Sequence, residues 1–482
     1  MQLQIEKLIY GGDGLTRLPA DERGRGKTVF IPFVLPGEEV EATVVEAKPG
    51  FARARVERVL TPSPERVEPG CPYFTNCGGC HYQHIDYAAQ LRYKTEILRE
   101  TLRRTAKFEL KDDVIVHSAE PWAYRNRTRM HVKHQPEFAL GYFRYGSHAL
   151  LPVESCPISS PLINRAIAAI WTLGRRRAVV PEALHGLQFF VNHDDSKLMI
   201  ELYVKDEAAA SSKPPVASKK EVSSRQPHVN KKTVSSQPSA ATQSSPTPAS
   251  SAVLAKFAAH LRELIPELAG VSIFVTSPVE DESRQRAPLT AIHGEDSETI
   301  GAESLVYRAG GEDYRVSGGS FFQTNRFLID KLVEVVVGKR TGRAALDLYA
   351  GAGLFTKQLA RNFDEVVAVE VSPHSFADLK HNVTHNVKCI RSTTEAFLAE
   401  RAAKVAADLV VLDPPRAGLG ERSAKALCRM SASHVTYVSC DPATLSRDVR
   451  VLLESGFRVE QAHLVDMFPQ TYHMETVLHL AR

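Results

Sequence analysis

Three groups of residues in this chain have the types and spacing to do chemistry. The first is a single thiol, in Val438-Ser439-Cys440-Asp441-Pro442, directly after the apolar run His434 to Val438. That run reads as a buried strand of a parallel sheet, and in open α/β sheets the carboxyl ends of strands border the ligand crevice. A free thiol with a pKa of about 8.5 is little ionised at neutral pH, yet its thiolate is a strong nucleophile. A lone cysteine beside a strand also packs well as a small hydrophobe. What Cys440 does therefore depends on what the rest of the chain places around it.

The second group is Cys71-Pro72-Tyr73-Phe74-Thr75-Asn76-Cys77-Gly78-Gly79-Cys80, with Cys156 in Glu154-Ser155-Cys156-Pro157 as a fourth thiol. Three close thiols with Gly-Gly between the last two let a chain fold round one centre. Four thiolates hold either zinc or a four-iron cluster. Zinc usually takes two CxxC pairs, so a compact triplet plus a remote cysteine leans to iron–sulfur. A fourth thiolate favours a closed, structural cluster over one with an open iron.

The third group lines a nucleotide crevice. The short apolar strand Ala344 to Leu348 runs into Asp347-Leu348-Tyr349-Ala350-Gly351-Ala352-Gly353. A Gly-rich turn between strand and helix lets backbone approach a nucleotide closely. Its spacing is not that of the dinucleotide GxGxxG motif. The next strand, Glu365 to Val369, ends in Glu370, about 20 residues on, where an acid can bond ribose hydroxyls. A further strand, Leu409 to Leu412, ends in Asp413-Pro414-Pro415-Arg416-Ala417-Gly418-Leu419. Two prolines make a rigid wall without backbone donors there, and Asp413 is placed to face the crevice. Together these favour an adenosine-type ligand.

The elements that must position these groups read as follows. Residues 1 to about 60 show several short alternating strands, including Thr28 to Val34 and Glu39 to Glu46, which suggests a small OB-like barrel able to hold nucleic acid. Asp86 caps a helix to Lys107 with Tyr87, Leu91, Leu98 and Leu102 on its apolar stripe. Tyr124 to His134 alternates as a strand, which puts Arg125, Arg127, Arg129, His131 and Lys133 on one face. That face reads as a phosphate-binding surface. The aromatics of Gly141 to Tyr145 suit either base stacking or a core. From Asp206 to Ser251 large apolar side chains almost vanish, as expected of a disordered insertion within one domain. After Phe321-Phe322-Gln323-Thr324-Asn325 and a helix, strands and helices alternate. The last pair of strands, His463 to Phe468 and Thr476 to Leu480, reads as an antiparallel edge.

Composition bounds the class. The 482 residues predict two to four domains, and 43% hydrophobic content supports globular cores. A net charge of +4 says little about partners by itself. Without a bilayer-length apolar run or a signal segment, the expectation is a cytoplasmic protein with no membrane partner. Seven cysteines, an odd number in a long chain, argue against a disulfide framework.

Taken together, Asp-Leu-Tyr-Ala-Gly-Ala-Gly, Asp-Pro-Pro-Arg-Ala-Gly-Leu, Val-Ser-Cys-Asp-Pro and His473-Met474-Glu475-Thr476-Val477 resemble the RNA uracil-5 methyltransferases that use S-adenosylmethionine. The cysteine frame and N-terminal barrel resemble the 23S rRNA branch, with its TRAM barrel and [4Fe-4S] cluster. The resemblance covers nearly the whole chain except the insertion. It implies an α/β fold: a Rossmann-like class I methyltransferase domain at 321–482, an OB-like TRAM barrel at 1–60, and a central α+β iron–sulfur and RNA-binding domain at 61–320 that carries the insertion 206–251. It implies Cys440 as nucleophile and Glu475 as proton acceptor. Gln323, Tyr349, Glu370 and Asp413 match cofactor-contacting positions, and Cys71, Cys77, Cys80 and Cys156 match cluster ligands. The implied partner is RNA, most readily 23S rRNA, met by a monomer. The alternatives are the same reaction on transfer RNA, methylation of an exocyclic amine, and a non-catalytic iron–sulfur RNA-binding protein. Leu354 and Thr393 depart from the family pattern, each removing a possible cofactor hydrogen bond.

Overall fold

In the computed structural model of the chain, the residues described are 1–18, 26–176, 179–205, 248–276 and 297–482. The expected insertion therefore lies outside them as far as residue 247; the helix that follows it starts at Pro248.

The N-terminal strands form a six-stranded sheet around its own core of Leu3, Ile5, Val29, Ile31, Val34, Val40, Ala42, Ala52 and Ala54. The alternation in Glu39–Ala47 explains the burial directly. Val40 and Ala42 turn inward while Glu39 and Glu41 stay exposed, because strand side chains alternate between faces.

A seven-stranded sheet follows, in the order Leu150–Pro152, Ala139–Phe143, Arg127–Lys133, Leu184–Val191, Leu198–Lys205, Leu268–Thr276, Ser297–Gly301. Leu198–Lys205 and Leu268–Thr276, the strands on either side of the insertion, pair in parallel within this one sheet. Helix Pro161–Arg175 starts at a Ser160 cap with Pro161 in its first turn, an arrangement that satisfies an orphan N–H and pre-sets φ. It shares one core with helix Pro248–Leu264 and the sheet, in which Ile163, Ile167, Ile170, Phe257 and Leu261 are fully buried.

The last sheet has eight strands, ordered Val387–Arg391, Phe363–Glu370, Gly342–Leu348, Ala406–Leu412, Ser431–Ser439, Glu475–Ala481, Arg458–Val465, Ile115–His117. The first five are parallel neighbours, and Glu475–Ala481 runs antiparallel to both of its neighbours. The predicted antiparallel pair is present, but it is not the edge. Ile115–His117, from far upstream, adds outside it in parallel.

Two expectations are corrected here. The helix capped by Asp86 spans Tyr87–Thr101 and passes into a π turn, Leu102–Ala106. Its most buried face carries Gln90, Tyr93, Lys94 and Ile97 beside Leu98, while Tyr87 and Leu91 are only half-buried. Lys94 belongs to that face because its ammonium reaches Asp466 at 2.6 Å and the carbonyl of Phe468 at 3.0 Å. The basic strand also differs. Arg127 lies over the Phe190 ring at 4.3 Å and donates to the carbonyl of Ser320, and Arg129 lies over Tyr203 at 4.0 Å. His131 stacks on Phe143 at 4.1 Å. The face is half-buried, its flat guanidinium groups packed on aromatic rings, while Thr128 and Met130 form the buried face and Lys133 is exposed.

Candidate active site

The Gly-rich turn after strand Gly342–Leu348 is built on left-handed backbone. Tyr349, Gly351 and Gly353 have φ of 65°, 56° and 91°. A side chain at Gly353 would meet Leu379 at 3.0 Å, so the glycine serves close packing as well as conformation. Glu370 closes the turn. Its carboxylate accepts the N–H groups of Gly351 at 2.8 Å, Val371 at 2.9 Å and Ser372 at 2.6 Å. Burial nonetheless holds its pKa above the usual range. Gln323 donates to Asp413 at 3.1 Å, and the Tyr349 hydroxyl reaches Glu395 at 3.3 Å. Tyr349, Glu370 and Asp413 thus lie at the carboxyl ends of adjacent strands, and Gln323 joins them from a loop through Asp413.

Leu354 and Thr393 are occupied otherwise. Leu354 is buried in the core beside Phe355, and the Thr393 hydroxyl caps the helix Thr394–Arg401 by accepting from Ala396.

One crevice acid was not singled out from sequence. Asp347 is fully buried, accepts from the Thr356 hydroxyl, and leaves its other oxygen without a partner among the described residues. Burial pushes it up to about 7, with Asp413 and Glu370 adding repulsion. The signal available was an acid inside an apolar strand, Ala344-Ala345-Leu346-Asp347-Leu348, since unpaired carboxylates are rarely buried without a reason.

Cys440 follows strand Ser431–Ser439 and is half-buried. Glu475 opens the neighbouring strand, is buried, and has one carboxylate oxygen without a partner among the described residues. Register brings them together: Ser439 pairs with Thr476, one residue from each. Burial raises the thiol well above its ordinary value, and Glu475 and Asp413 raise it further, with Arg416 opposing. Burial also holds Glu475 well above the carboxylate range, with Asp413 adding to it and Arg416 opposing. Asp413 is pushed up to about 7 by burial, with the Gln323 hydrogen bond opposing. These three acids share one low-dielectric space, so they cannot all be ionised at neutral pH. Arg416, in the Pro-Pro turn, is their nearby cation and contacts His473 Nε2 at 3.1 Å. An arginine only donates, so the proton of a neutral His473 sits on Nδ1.

The four thiols of the second group also converge. Cys71, Cys77, Cys80 and Cys156 line one cavity of about 230 Å³, together with Gln83, Arg125 and Tyr142. Cys156 is fixed by Asn164, which accepts its N–H at 2.8 Å and donates to its carbonyl at 3.0 Å. Burial pushes Cys77 up to about 11 and Cys80 up to about 12, and Cys156 adds like-charge repulsion to both. Arg125, from the basic strand's approach, is the cation facing them. Among the described residues no three His, Cys, Asp or Glu side chains form a group fit for a metal ion.

A family profile described as tRNA (Uracil-5-)-methyltransferase matches residues 302–482, and one described as TRAM domain matches residues 1–56. An uncharacterized RNA methyltransferase of Aquifex aeolicus is 30% identical over 483 residues, covering 99% of this chain and 97% of that protein. The 23S rRNA (uracil(1939)-C(5))-methyltransferase of Pectobacterium atrosepticum is 29% identical over 476 residues, covering 94% and 89%. The crystal structure of Pyrococcus abyssi tRNA (uracil-54, C5)-methyltransferase with S-adenosyl-L-homocysteine superposes with a TM-score of 0.67 at 23% identity, over 100% of both chains, and shows the shared class I methyltransferase fold. Full-length relatedness, the two matched profiles and the crevice at the ends of the parallel strands give one conclusion: the chain belongs to the S-adenosylmethionine-dependent RNA (uracil-5-)-methyltransferases.

Proposed function

We propose that this enzyme methylates carbon 5 of a uridine in 23S ribosomal RNA through a covalent cysteine–uracil intermediate. The observation that carries this reading is that strand register, through the Ser439–Thr476 pair, brings Cys440 and the buried carboxyl of Glu475 together beside Asp413. Carbon 5 of uracil is a poor nucleophile. Addition of the Cys440 thiolate to carbon 6 makes the ring an enolate whose carbon 5 can attack an electrophile. Gln323, Tyr349, Glu370 and Asp413 would hold S-adenosylmethionine, which would supply the electrophilic methyl and leave as S-adenosylhomocysteine. Glu475 then removes the proton from carbon 5, the carbon 6–sulfur bond breaks, and the thiolate leaves. The target base must first leave its stack, at a cost of a few kcal/mol.

The cysteine cavity suits a [4Fe-4S] cluster. A single zinc ion would need its four sulfurs about 3.8 Å apart around one point, whereas a cluster spreads its ligands round a volume. Cys71, Cys77, Cys80 and Cys156 would hold it, with Arg125 offsetting thiolate charge, in a structural role. The assignment to 23S rRNA draws on the Pectobacterium atrosepticum relative's name and reach. The Pyrococcus abyssi neighbour's name keeps transfer RNA as the second reading.

The test uses anaerobic protein, labelled S-adenosylmethionine and unmodified total RNA. The expected outcome is label in 5-methyluridine of 23S rRNA; label in transfer RNA would move the substrate and leave the reaction. Cys440→Ala should abolish transfer and lose the covalent adduct with 5-fluorouracil RNA, and retained turnover would refute the nucleophile. Glu475→Gln should form the methylated covalent complex but stall before release; normal turnover would remove Glu475 from the mechanism.

A further inference from the structure

The N-terminal barrel reaches the reacting end of the last sheet through one turn. Tyr10 precedes Gly11-Gly12, and its hydroxyl donates to Asp441 Oδ2 at 3.1 Å and lies 3.4 Å from the carbonyl oxygen of Cys440. The other oxygen of Asp441 accepts the N–H groups of Ala443 and Thr444, both at 2.9 Å, and so caps the helix Pro442–Glu454. The two residues after the strand are therefore clamped from both sides: the helix holds Oδ1 and the barrel holds Oδ2.

The contact is packed as well as bonded. The Tyr10 ring meets Tyr472 edge-on at 5.4 Å, and Tyr472 meets His81 at 4.5 Å. Gly12 has φ of 93°, and a Cβ there would stand 3.2 Å from His81 and 3.4 Å from Tyr472. His81 and Tyr82 both donate their N–H groups to the carbonyl of Gln470. Four distant segments, around residues 10, 81, 441 and 471, thus lock into one joint beside Cys440. None of this is needed for a barrel that only tethers RNA.

We propose that Tyr10 is a positioning residue of the catalytic turn, so that the barrel is a structural part of the active site and fixes the approach of Cys440 to its substrate base. This rests on Cys440 being the reacting thiol. Burial keeps the Tyr10 phenol protonated, and Asp441 adds to this, so the hydroxyl is a donor throughout the working pH range. It stabilises the carboxylate conformation that sets the backbone at Cys440.

The experiment compares wild type, Tyr10→Phe, Asp441→Asn and the double variant, as full-length holoenzyme. Phenylalanine keeps the ring packing and asparagine keeps the helix cap. At saturating RNA, Tyr10→Phe should lower kcat for methyl transfer about tenfold, or about 1.4 kcal/mol, and slow 5-fluorouracil adduct formation equally. RNA affinity should stay within about twofold, and the double variant should be no slower than the slower single one. Wild-type kcat in Tyr10→Phe, or a loss confined to RNA affinity, would overturn the proposal. If the wild type turned over without any adduct, the covalent reading would fail instead, and an unchanged kcat split would show that Tyr10 acts in some other way than through the thiol.

Discussion

At the scale of single residues, the molecule places charge where water cannot reach and then accounts for it in pairs. Lys94 and Asp466 are both fully buried at 2.6 Å, and the Tyr87 hydroxyl donates to the second oxygen of Asp466 at 2.9 Å. Burial pulls Lys94 below its ordinary value, with Asp466 opposing. A buried pair of this kind adds little net stability, but removing one partner strands the other, at about 3–5 kcal/mol. Lys94→Met is therefore expected to destabilise by that amount in urea unfolding, and Lys94→Met with Asp466→Asn should recover part of the loss. A loss under about 1 kcal/mol in the single variant would show that water reaches Asp466. The same reasoning separates the placements that were legible in the sequence from those that were not. Cys440 and Glu370 were legible because strand ends are predictable. Lys94 was not, because a lysine at a helical position reads as solvated until its partner, far along the chain, is known.

At the scale of elements, the short strand Ile115–His117 is the informative one. It pairs His463 with Ile115 and Val465 with His117 at the outer edge of the last sheet. There the ring of His117 contacts His463 at 3.0 Å, stacked at 5.2 Å between centroids, and His463 stands edge-on to His479 at 5.4 Å. One ring must accept where the other donates, so the pair cannot both be charged. Burial lowers all three, with His463 and His479 pushed down to about 4. The sign follows from linkage. These folded-state values lie below the unfolded value of about 6.5, so their contribution is complete above that pH and is lost as pH falls from about 6.5 toward 4. Thermal melting should drop through that window, and His463→Gln should make the drop shallower. An equal drop in the variant would assign the acid sensitivity to other groups. No periodicity in the sequence signals this strand: Val114-Ile115-Val116-His117 is too short to pattern, and its partner lies more than 300 residues away.

At the scale of the whole molecule, the three sheets and the hairpin of Ser304–Ala309 and Glu312–Ser317 are tied together by joints that no single segment contains. The cavity of Cys71, Cys77, Cys80 and Cys156 joins the loop after the barrel to two strands of the middle sheet and the segment that precedes helix Pro161–Arg175. If it holds the proposed cluster, anaerobically purified protein should be brown and contain about four irons per chain. Colourless protein with one zinc would overturn that. Chelating the iron should lower the melting temperature, since binding only the folded state stabilises it. What the sequence determined alone was local and one-dimensional: the barrel strands with their alternating burial, the Asp86 cap, the Gly turn with Glu370 on the next strand, and the motifs that resemble the uracil-5 methyltransferases. Each rests on φ/ψ preferences or on periods of 2 and 3.6 residues, which short windows carry. Tertiary structure decided what covers the basic strand, whose half-buried Arg127 and Arg129 lie on the Phe190 and Tyr203 rings. It also decided the insertion of Glu475–Ala481 between two strands, the gathering of Asp413, Glu475 and Cys440 into one charge-limited space, and the reach of Tyr10 to Asp441. Side-chain alternation says that two faces differ, but not what covers them. Only the packing of segments hundreds of residues apart sets which charges share a low-dielectric volume, and with it their protonation and chemistry.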